Sequence, residues 1–442
     1  MKCLIIAAGK GSRLRQQGDC KPLIPILGLP LIERVIRTAM EAGADDFLVV
    51  TGYQEELIRS FLVSLADRLG CSITSIFNED WKKENGLSVL KAKEYLPEPF
   101  LLLMADHLFD PSIARELMAL ALSDGEIALG VDGDTRNSSV DMKDVTRVKT
   151  KEGKILDIGK GLTDFNALDT GIFLCTPAIF NALERSAKQD GDTTLSRAVK
   201  ILAAEGKAKM FEISGRFWID VDDPAAFSRA ENSILADLKD KPNDGPVSRY
   251  LNRPISIRIS RRLVDHQITP NQISLFSFLC SVLAAGLFAL DGYFTLLLGG
   301  LTAQFASIVD GCDGEVARLK HQYSAYGGWF DAVLDRYADA FLLFGLTWHT
   351  YTDTDKTDSF ILLIGFMAII GSFMLSYTAD KHDSLMRDRI IHDKGLRMGR
   401  DIRVFLIFLG AVFNQVYLTL VVIAVVMNIA TVRRLIICRD HE

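Results

Sequence analysis

Four aspartates in the second half of the chain, Asp310, Asp313, Asp331 and Asp335, are spaced to act on one point. Asp310 and Asp313 are i, i+3 and Asp331 and Asp335 are i, i+4, so on helices each pair shares a face. Two helix ends can therefore aim four carboxylates at a single place. Uncompensated anions gathered there would repel one another and lose hydration, which calls for a cation. Hard oxygen ligands suit magnesium, manganese or calcium, and four carboxylates can serve two metal ions. Glycines at 311, 314, 327 and 328 let a ligand approach the backbone, and Arg318 offers a guanidinium fork for phosphate. Farther on, Arg400 and Arg403 can clamp the phosphate of an anionic acceptor or anchor a helix in a headgroup layer, and both readings stand. Asp339 continues the i, i+4 series past Asp335 and is as readily a structural partner of Arg336.

A second set opens the chain. The apolar run Cys3–Ile6 leads into Ala7-Ala8-Gly9-Lys10-Gly11-Ser12-Arg13-Leu14, whose amides, small residues and cations can cradle a triphosphate. A dinucleotide-binding loop is the competing reading, but Leu14 stands where its third glycine would be, and Asp106 is too distant to be its ribose acid. Two apolar segments end in acids: Phe100–Ala105 before Asp106, and Trp218-Ile219 before Asp220, Val221 and Asp222.

The elements that must position these residues fall into two regions. Over the first 240 residues, short apolar runs alternate with amphipathic stretches, the pattern of a layered α/β domain. Expected strands are Lys2–Ile6, Phe47–Thr51, Ser72–Phe77, Phe100–Ala105 and Glu126–Val131, with helices such as Leu31–Ala42 and Glu55–Ala66 between them. A hairpin, Val145–Thr150 and Lys154–Ile158 around Glu152-Gly153, makes the sheet mixed; a strand Thr170–Cys175 follows. The fold class is thus multidomain: residues 1–240 form a Rossmann-like α/β domain with a mixed sheet, 241–272 a linker and basic juxtamembrane segment, and 273–442 an all-α six-helix transmembrane domain. The linker is the polar run Asp240–Pro246. In Ser248–Arg262 five arginines mix with Leu251, Ile255, Ile257 and Ile259, an amphipathic segment expected on the anionic cytoplasmic face of a bilayer.

The later region carries apolar runs long enough for a hydrocarbon layer of about 30 Å. Ile273–Leu290 and Ser359–Ala379 have 18 and 21 residues without a charge. Tyr293–Val309 and the stretch from Gly327 to Thr352 add two spans. The 29 uncharged residues of Val404–Val432, with Asn414-Gln415 as a turn, make two more. With six spans and a cytoplasmic N-terminus, the cytoplasmic segments hold 17 Lys and Arg and the outer ones only Lys356, as the positive-inside rule requires. A net charge of −6 gives no basis for a nucleic-acid partner, and seven cysteines without a CxxC pair indicate neither zinc nor a disulfide framework.

The string Asp310-x2-Asp313-Gly314-x2-Ala317-Arg318-x8-Gly327-x3-Asp331-x3-Asp335 matches the signature of the CDP-alcohol phosphotransferase family, and Thr269-Pro270-Asn271-Gln272 resembles the segment leading into that family's first helix. The resemblance spans about residues 245–442. It implies a membrane enzyme with divalent metals on Asp310, Asp313, Asp331 and Asp335, and a cytidine diphosphate site that also uses Gly314, Ala317, Arg318 and Gly327. Asp335 would be the general base, taking the proton of an acceptor hydroxyl that attacks the alcohol-bearing phosphorus and expels CMP.

Residues 1–232, with Lys21-Pro22-Leu23 after the glycine loop, resemble sugar-nucleotide and choline-phosphate nucleotidylyltransferases. This implies that Ala8, Gly9, Gly11, Arg13 and Lys21 bind CTP, that Mg2+ or Mn2+ sits on Asp106 with Asp220 or Asp222, and that Arg13 and Lys21 stabilise departing pyrophosphate. By the same resemblance Gly86 and Ser88 lie near the cytosine, with Asn78 and Asn85 as further candidates, and Lys160 meets the acceptor phosphate.

Together the halves resemble the bifunctional family joining an inositol-1-phosphate cytidylyltransferase to a di-myo-inositol-phosphate phosphate synthase. That implies CTP, inositol 1-phosphate and CDP-inositol as small-molecule partners, a compatible solute as product, a lipid bilayer around the second half, and a homodimer through the membrane domain as a further expectation. A phospholipid-making CDP-alcohol phosphatidyltransferase, with a soluble half that serves another substrate or a regulatory role, is the alternative, and a nucleotide-regulated cation transporter a more distant one.

Overall fold

The computed structural model describes residues 1–137, 140–142, 144–239, 244–352, 359–385 and 399–439. The linker expected at Asp240–Pro246 and the segments around Lys356 and 386–398 lie wholly or partly outside them. The chain divides into two compact units, Met1–Ser233 and Ile234–Glu442.

Leu4–Ile6, Phe47–Val50 and Leu101–Leu103 are apolar without alternation, as strands covered on both faces must be. They are adjacent inner strands of the first unit's sheet. Lys2–Ala7 pairs in parallel with Asp46–Thr51 on one side and Phe100–Met104 on the other, and Ser72–Phe77 lies outside Asp46–Thr51. Ala167–Cys175 is antiparallel to both Phe100–Met104 and Ile127–Asp132. Beyond Ile127–Asp132 come Ala208–Glu212, in parallel, and then the hairpin of Lys154–Gly159 and Arg147–Lys151. The sheet has nine strands and is mixed. Glu152 and Gly153 both take positive φ, 51° and 77°, which suits a tight hairpin turn.

Where one strand, Phe100–Ala105, was expected, the strand ends at Met104, the chain turns through Ala105 and Asp106, and a short strand His107–Phe109 follows. That strand pairs antiparallel with Trp218–Asp220, setting Asp220 opposite His107. The pairing joins the two acid-ending segments. Beneath them Leu102, Leu129, Val131, Phe173 and Phe180 form part of a continuous core, with Phe100 and Phe180 stacked at 5.5 Å between ring centroids.

The second unit is helical. After Arg253–Leu263 come Pro270–Phe288, Tyr293–Leu319, Ala325–Thr352, Ser359–Leu385, Arg400–Val412 and Val416–Arg439. The break between the last two contains Asn414, whose φ of 52° reverses the chain where sequence placed a turn. Among the described residues four helices are long and apolar enough to cross a membrane: Pro270–Phe288, Tyr293–Leu319, Ser359–Lys381 and Val416–Ile437. Ala325–Thr352 carries Asp331, Asp335, Arg336 and Asp339, and Arg400–Val412 has only 13 residues. Apolar side chains such as Phe294, Phe366 and Ile429 face outward, so this unit is suited to lipid and the chain is a membrane protein. Small residues let its helices approach closely: a Cβ on Gly345 would sit 2.6 Å from the carbonyl oxygen of Ala285.

Candidate functional site

Each unit carries its own acidic centre. In the first, the Lys2–Ala7 strand delivers the glycine loop to a short helical turn, Ser12–Leu14. Gly11 has a φ of 60°, and a Cβ there would collide with the Lys21 side chain, so glycine meets a backbone and a packing demand together. Gly11→Ala should cost roughly 1–3 kcal/mol in strain and push Lys21 out of place. A lowered melting temperature with reduced pyrophosphate release from CTP is expected; wild-type behaviour in both assays would contradict it.

Lys21, 7% exposed, bonds both Asp106 and Asp222. Burial disfavours its charge, but Asp106, Asp222 and Asp220 outweigh that and hold the ammonium above its usual pKa. Arg13 reaches Asp144 at 2.7 Å and Asp222 at 2.6 Å, and Lys160 Nζ lies 2.5 Å from the other oxygen of Asp144. Hydrogen bonds from Lys160 and Arg13 pull the Asp144 carboxyl down to about 2.

His107 Nδ1 is 2.9 Å from Asp106, and Nε2 is 3.9 Å from Asp220. Burial works against the imidazolium, but Asp220 and Asp106 raise its pKa to about 9. Burial likewise opposes the charge on Asp106, and Lys21 with His107 overcomes it, keeping that carboxyl below the usual range. Asp220 is pushed up, by burial first and by the negative charges of Asp106 and Asp222.

Atoms of Asp106, His107 and Asp220 come within 4.8 Å of one another, and Asp220 Oδ1 is buried without a hydrogen-bond partner. The carboxylates of Asp106 and Asp220, the latter with an orphan oxygen, fit a divalent ion, and His107 could join them once such an ion displaced its ring proton. Asp222, considered from sequence as an alternative to Asp220, is instead taken by Lys21 and Arg13. Adjoining cavities of about 300 and 310 Å³ share Gly9, Arg13, Asp106 and Asp222; the second continues past Lys160, Asp144, Asp169 and Asn85.

Three expected nucleotide contacts lie inside the fold. Ser88 is buried and accepts a hydrogen bond from Asn78, itself fully buried. A Cβ on Gly86 would strike the Thr193 carbonyl, so that glycine serves helix packing. Ala8 is buried, its carbonyl accepting from Tyr53 N–H. Of the base-recognition candidates, Asn85 lines the cavity, and its Oδ1 accepts from Leu195 N–H.

In the helical unit, Asp310 and Asp313 lie on Tyr293–Leu319, and Asp331 and Asp335 on Ala325–Thr352. Carboxylate oxygens of Asp310, Asp331 and Asp335 come within 4.8 Å of one another, an all-oxygen set suited to a hard divalent ion. Asp313 lines a cavity of about 180 Å³ with Asp310, Gly314, Asp331 and Arg400. Serines on Pro270–Phe288 fix the acids: Ser274 donates to Asp313 at 2.5 Å and Ser277 to Asp310 at 3.1 Å. Arg318 Nη2 is buried without a partner, and Gly314 leaves room for its guanidinium. Ala317 and Gly327 are outside the residues lining this cavity; Gly327 lies in the first turn of Ala325–Thr352, its N–H donating to Ser324.

Arg403 is 4% exposed and bonds Asp339 at 2.6 Å, because a guanidinium at that depth requires a carboxylate. Asp339 therefore pairs with Arg403 and lies 3.4 Å from Arg400, while Arg336 is 3.9 Å from Asp380.

Sequence reasoning also missed Glu315. It is fully buried, bonded by Arg253 at 2.7 Å and by Ser256 and Ser260 at 2.6 Å each, with Asp244 on the other side of Arg253. The basic segment thus docks one face on the helical unit and leaves Arg258 and Arg262 exposed. Its signal was present, since Arg253, Ser256 and Ser260 recur at helical spacing as one polar face. Ser274 and Ser277 give the same signal on an otherwise apolar helix. Glu315→Ala would leave Arg253 with Asp244 alone and take the acceptor from the buried hydroxyls of Ser256 and Ser260, which should cost about 1–3 kcal/mol, read as a lower unfolding temperature in detergent; an unchanged temperature would contradict the pairing.

Residues 3–207 match the MobA-like NTP transferase domain and residues 267–433 the CDP-alcohol phosphatidyltransferase family. The chain is accordingly a transferase, with a nucleotidyltransferase half and a CDP-alcohol phosphotransferase half. A relative from Rubrobacter xylanophilus named bifunctional IPC transferase and DIPP synthase is 36% identical, covering 98% of this chain and 95% of that one. Its namesake from Aquifex aeolicus is 32% identical over 97% and 96%. The solved inositol-1-phosphate CTP transferase from T. maritima is similar at 26% identity, covering 52% of this chain and 94% of that one with a TM-score of 0.47. With such identity along nearly its whole length, the chain belongs to the family of bifunctional IPC transferases and DIPP synthases.

Proposed function

We propose that the first unit converts CTP and inositol 1-phosphate to CDP-inositol and pyrophosphate, and that the second converts CDP-inositol and another inositol 1-phosphate to a phosphorylated di-myo-inositol phosphate and CMP. The observation that carries this reading is one chain, related throughout to bifunctional IPC transferases and DIPP synthases, with a separate acidic centre in each half.

In the first reaction the acceptor is a phosphomonoester, already anionic near neutral pH, so attack on the α-phosphorus needs no general base. Lys160 would hold that phosphate. Arg13 and Lys21 would face the charge that develops as the bond to pyrophosphate breaks, and Asn85 would meet the base. In the second reaction Asp335 would take the proton of the acceptor hydroxyl as its oxygen attacks the phosphorus bearing inositol and CMP departs. Arg318, beside Gly314, would bind the diphosphate of CDP-inositol, one phosphate of which departs with CMP. Bound Mg2+ or Mn2+ would supply charge neutralisation at Asp106, His107 and Asp220 in one unit and at Asp310, Asp313, Asp331 and Asp335 in the other. Both products of the first step and both reactants of the second are water-soluble, so the second site would open to the aqueous side.

Pro270–Phe288 and the five helices that follow it would cross the bilayer, with both chain ends in the cytoplasm. Charge bias supports this topology, and the aspartate-bearing Ala325–Thr352 and the short Arg400–Val412 would border the aqueous opening. A cysteine placed at Lys356 should react with an impermeant thiol reagent only from outside; reaction only from inside would contradict this.

The function is tested by supplying full-length protein with CTP, Mg2+ and a panel of phosphorylated polyols, and identifying products by mass spectrometry. A soluble di-inositol product and CMP are expected with inositol 1-phosphate. Transfer onto a lipid, or no turnover with any polyol, would refute it.

A further inference from the structure

Arg400 stands among the acids proposed above to hold metal. Its Nη1 lies 2.7 Å from Asp310 Oδ2 and 2.5 Å from Asp335 Oδ1. At the other edge of the guanidinium, Nε is buried, makes no hydrogen bond and lies 3.4 Å from Asp339 Oδ1. Asp339 is 3% exposed, and its second oxygen accepts from Arg403 Nη2 at 2.6 Å and from Ser372 at 2.9 Å. Arg403 and Ser372 come from two other helices, Arg400–Val412 and Ser359–Leu385, so Asp339 is fixed from outside its own helix.

We propose that Arg400 is a displaceable counter-cation of Asp310 and Asp335, and that Asp339 is the positioning residue that receives its guanidinium when a divalent ion binds those acids. The inference rests on the metal reading of this site. A guanidinium and a divalent ion compete for the same carboxylate oxygens, and at a site largely shielded from water their mutual repulsion is weakly screened. A buried arginine cannot be left without an anion, so displacement is feasible only where another carboxylate stands close. Asp339 meets that need. It lies one turn from Asp335 on the same helix, and closing the Nε contact from 3.4 Å to an ordinary hydrogen bond of about 2.9 Å takes a small rotation. Such a rotation would also satisfy the orphan Nε. The three acids would then not stand as uncompensated charges while metal exchanges.

The test is Mn2+ binding to full-length, detergent-solubilised protein, followed by electron paramagnetic resonance in an Asp106→Asn background that removes an acid of the other centre. Arg400→Gln should tighten the Asp310-dependent binding, by roughly 5–150-fold if the coupling is of ordinary size. Asp339→Asn should weaken it, and that weakening should largely vanish when combined with Arg400→Gln. An Asp339 that acts only as a scaffold would weaken binding equally with or without Arg400, which would overturn the assignment. Unchanged or weaker binding in Arg400→Gln would overturn it too, and this variant keeps the Asp339–Arg403 pair, so it does not depend on how Asp339→Asn folds. A Mn2+ signal insensitive to Asp310→Asn would remove the metal reading itself, an outcome distinct from an Asp310-dependent signal that ignores Arg400.

Discussion

Replacing Asp335 by asparagine is expected to lower CMP release by roughly 10²–10⁴-fold, the usual size of a general-base contribution, while CDP-alcohol still binds. The neighbouring change Asp331→Asn should act differently, chiefly weakening metal and CDP-alcohol binding. Both residues lie on Ala325–Thr352 one turn apart, and both belong to the same carboxylate cluster. Position alone therefore cannot separate a ligand from a base, and the pair of variants can. Asparagine keeps the shape of each side chain and removes its charge and proton-accepting power. In Asp335→Asn, Arg400 retains Asp310 at 2.7 Å, so the cluster keeps an ionic partner for that guanidinium. Titration calorimetry with CDP-alcohol and single-turnover CMP release would decide the matter. Near-normal turnover by Asp335→Asn would leave Asp335 as a ligand only.

Asp106→Asn should abolish CDP-alcohol synthesis while the second unit still consumes CDP-alcohol supplied from outside. Lys21 and His107, acting against burial, hold the Asp106 carboxyl below its ordinary pKa, so the substitution removes a full negative charge at physiological pH. Neutralising phosphate charge through a bound ion is worth several kcal/mol, so a loss of roughly 10²–10⁴-fold or more is expected. Lys21 keeps Asp222 as a partner in the variant, which favours a folded first unit. Pyrophosphate release from CTP and CMP release from added CDP-alcohol are separate readouts on one preparation. Loss of both activities in a folded, membrane-inserted protein would contradict two independent centres.

Much of this arrangement was legible in sequence, for identifiable reasons. The glycine loop and the signature aspartates are fixed by local spacing, and central strands such as Phe47–Thr51 announce themselves as uninterrupted apolar runs. His107 was not legible, because its place depends on the long-range pairing of His107–Phe109 with Trp218–Asp220. Asp144 was missed for a similar reason: it becomes a hub only when Arg13 and Lys160, far apart in the chain, converge on it. Gly86 and Ser88 show the converse situation. Their residue types suit a binding loop, but packing against Thr193 and a hydrogen bond from Asn78 use them internally. The six-span count drew on charge bias, whereas length and hydropathy select four helices among the described residues, because Ala325–Thr352 carries four charged residues and Arg400–Val412 has only 13 residues.

The most direct test of one chain that both makes and consumes a CDP-alcohol is the level of CDP-inositol in the Asp335→Asn protein, followed by phosphorus NMR after adding CTP, Mg2+ and inositol 1-phosphate. With synthesis intact and consumption blocked, CDP-inositol should accumulate in step with pyrophosphate while CMP stays near background. Pyrophosphate and CDP-inositol both failing to appear, or CMP forming at the wild-type rate, would contradict it.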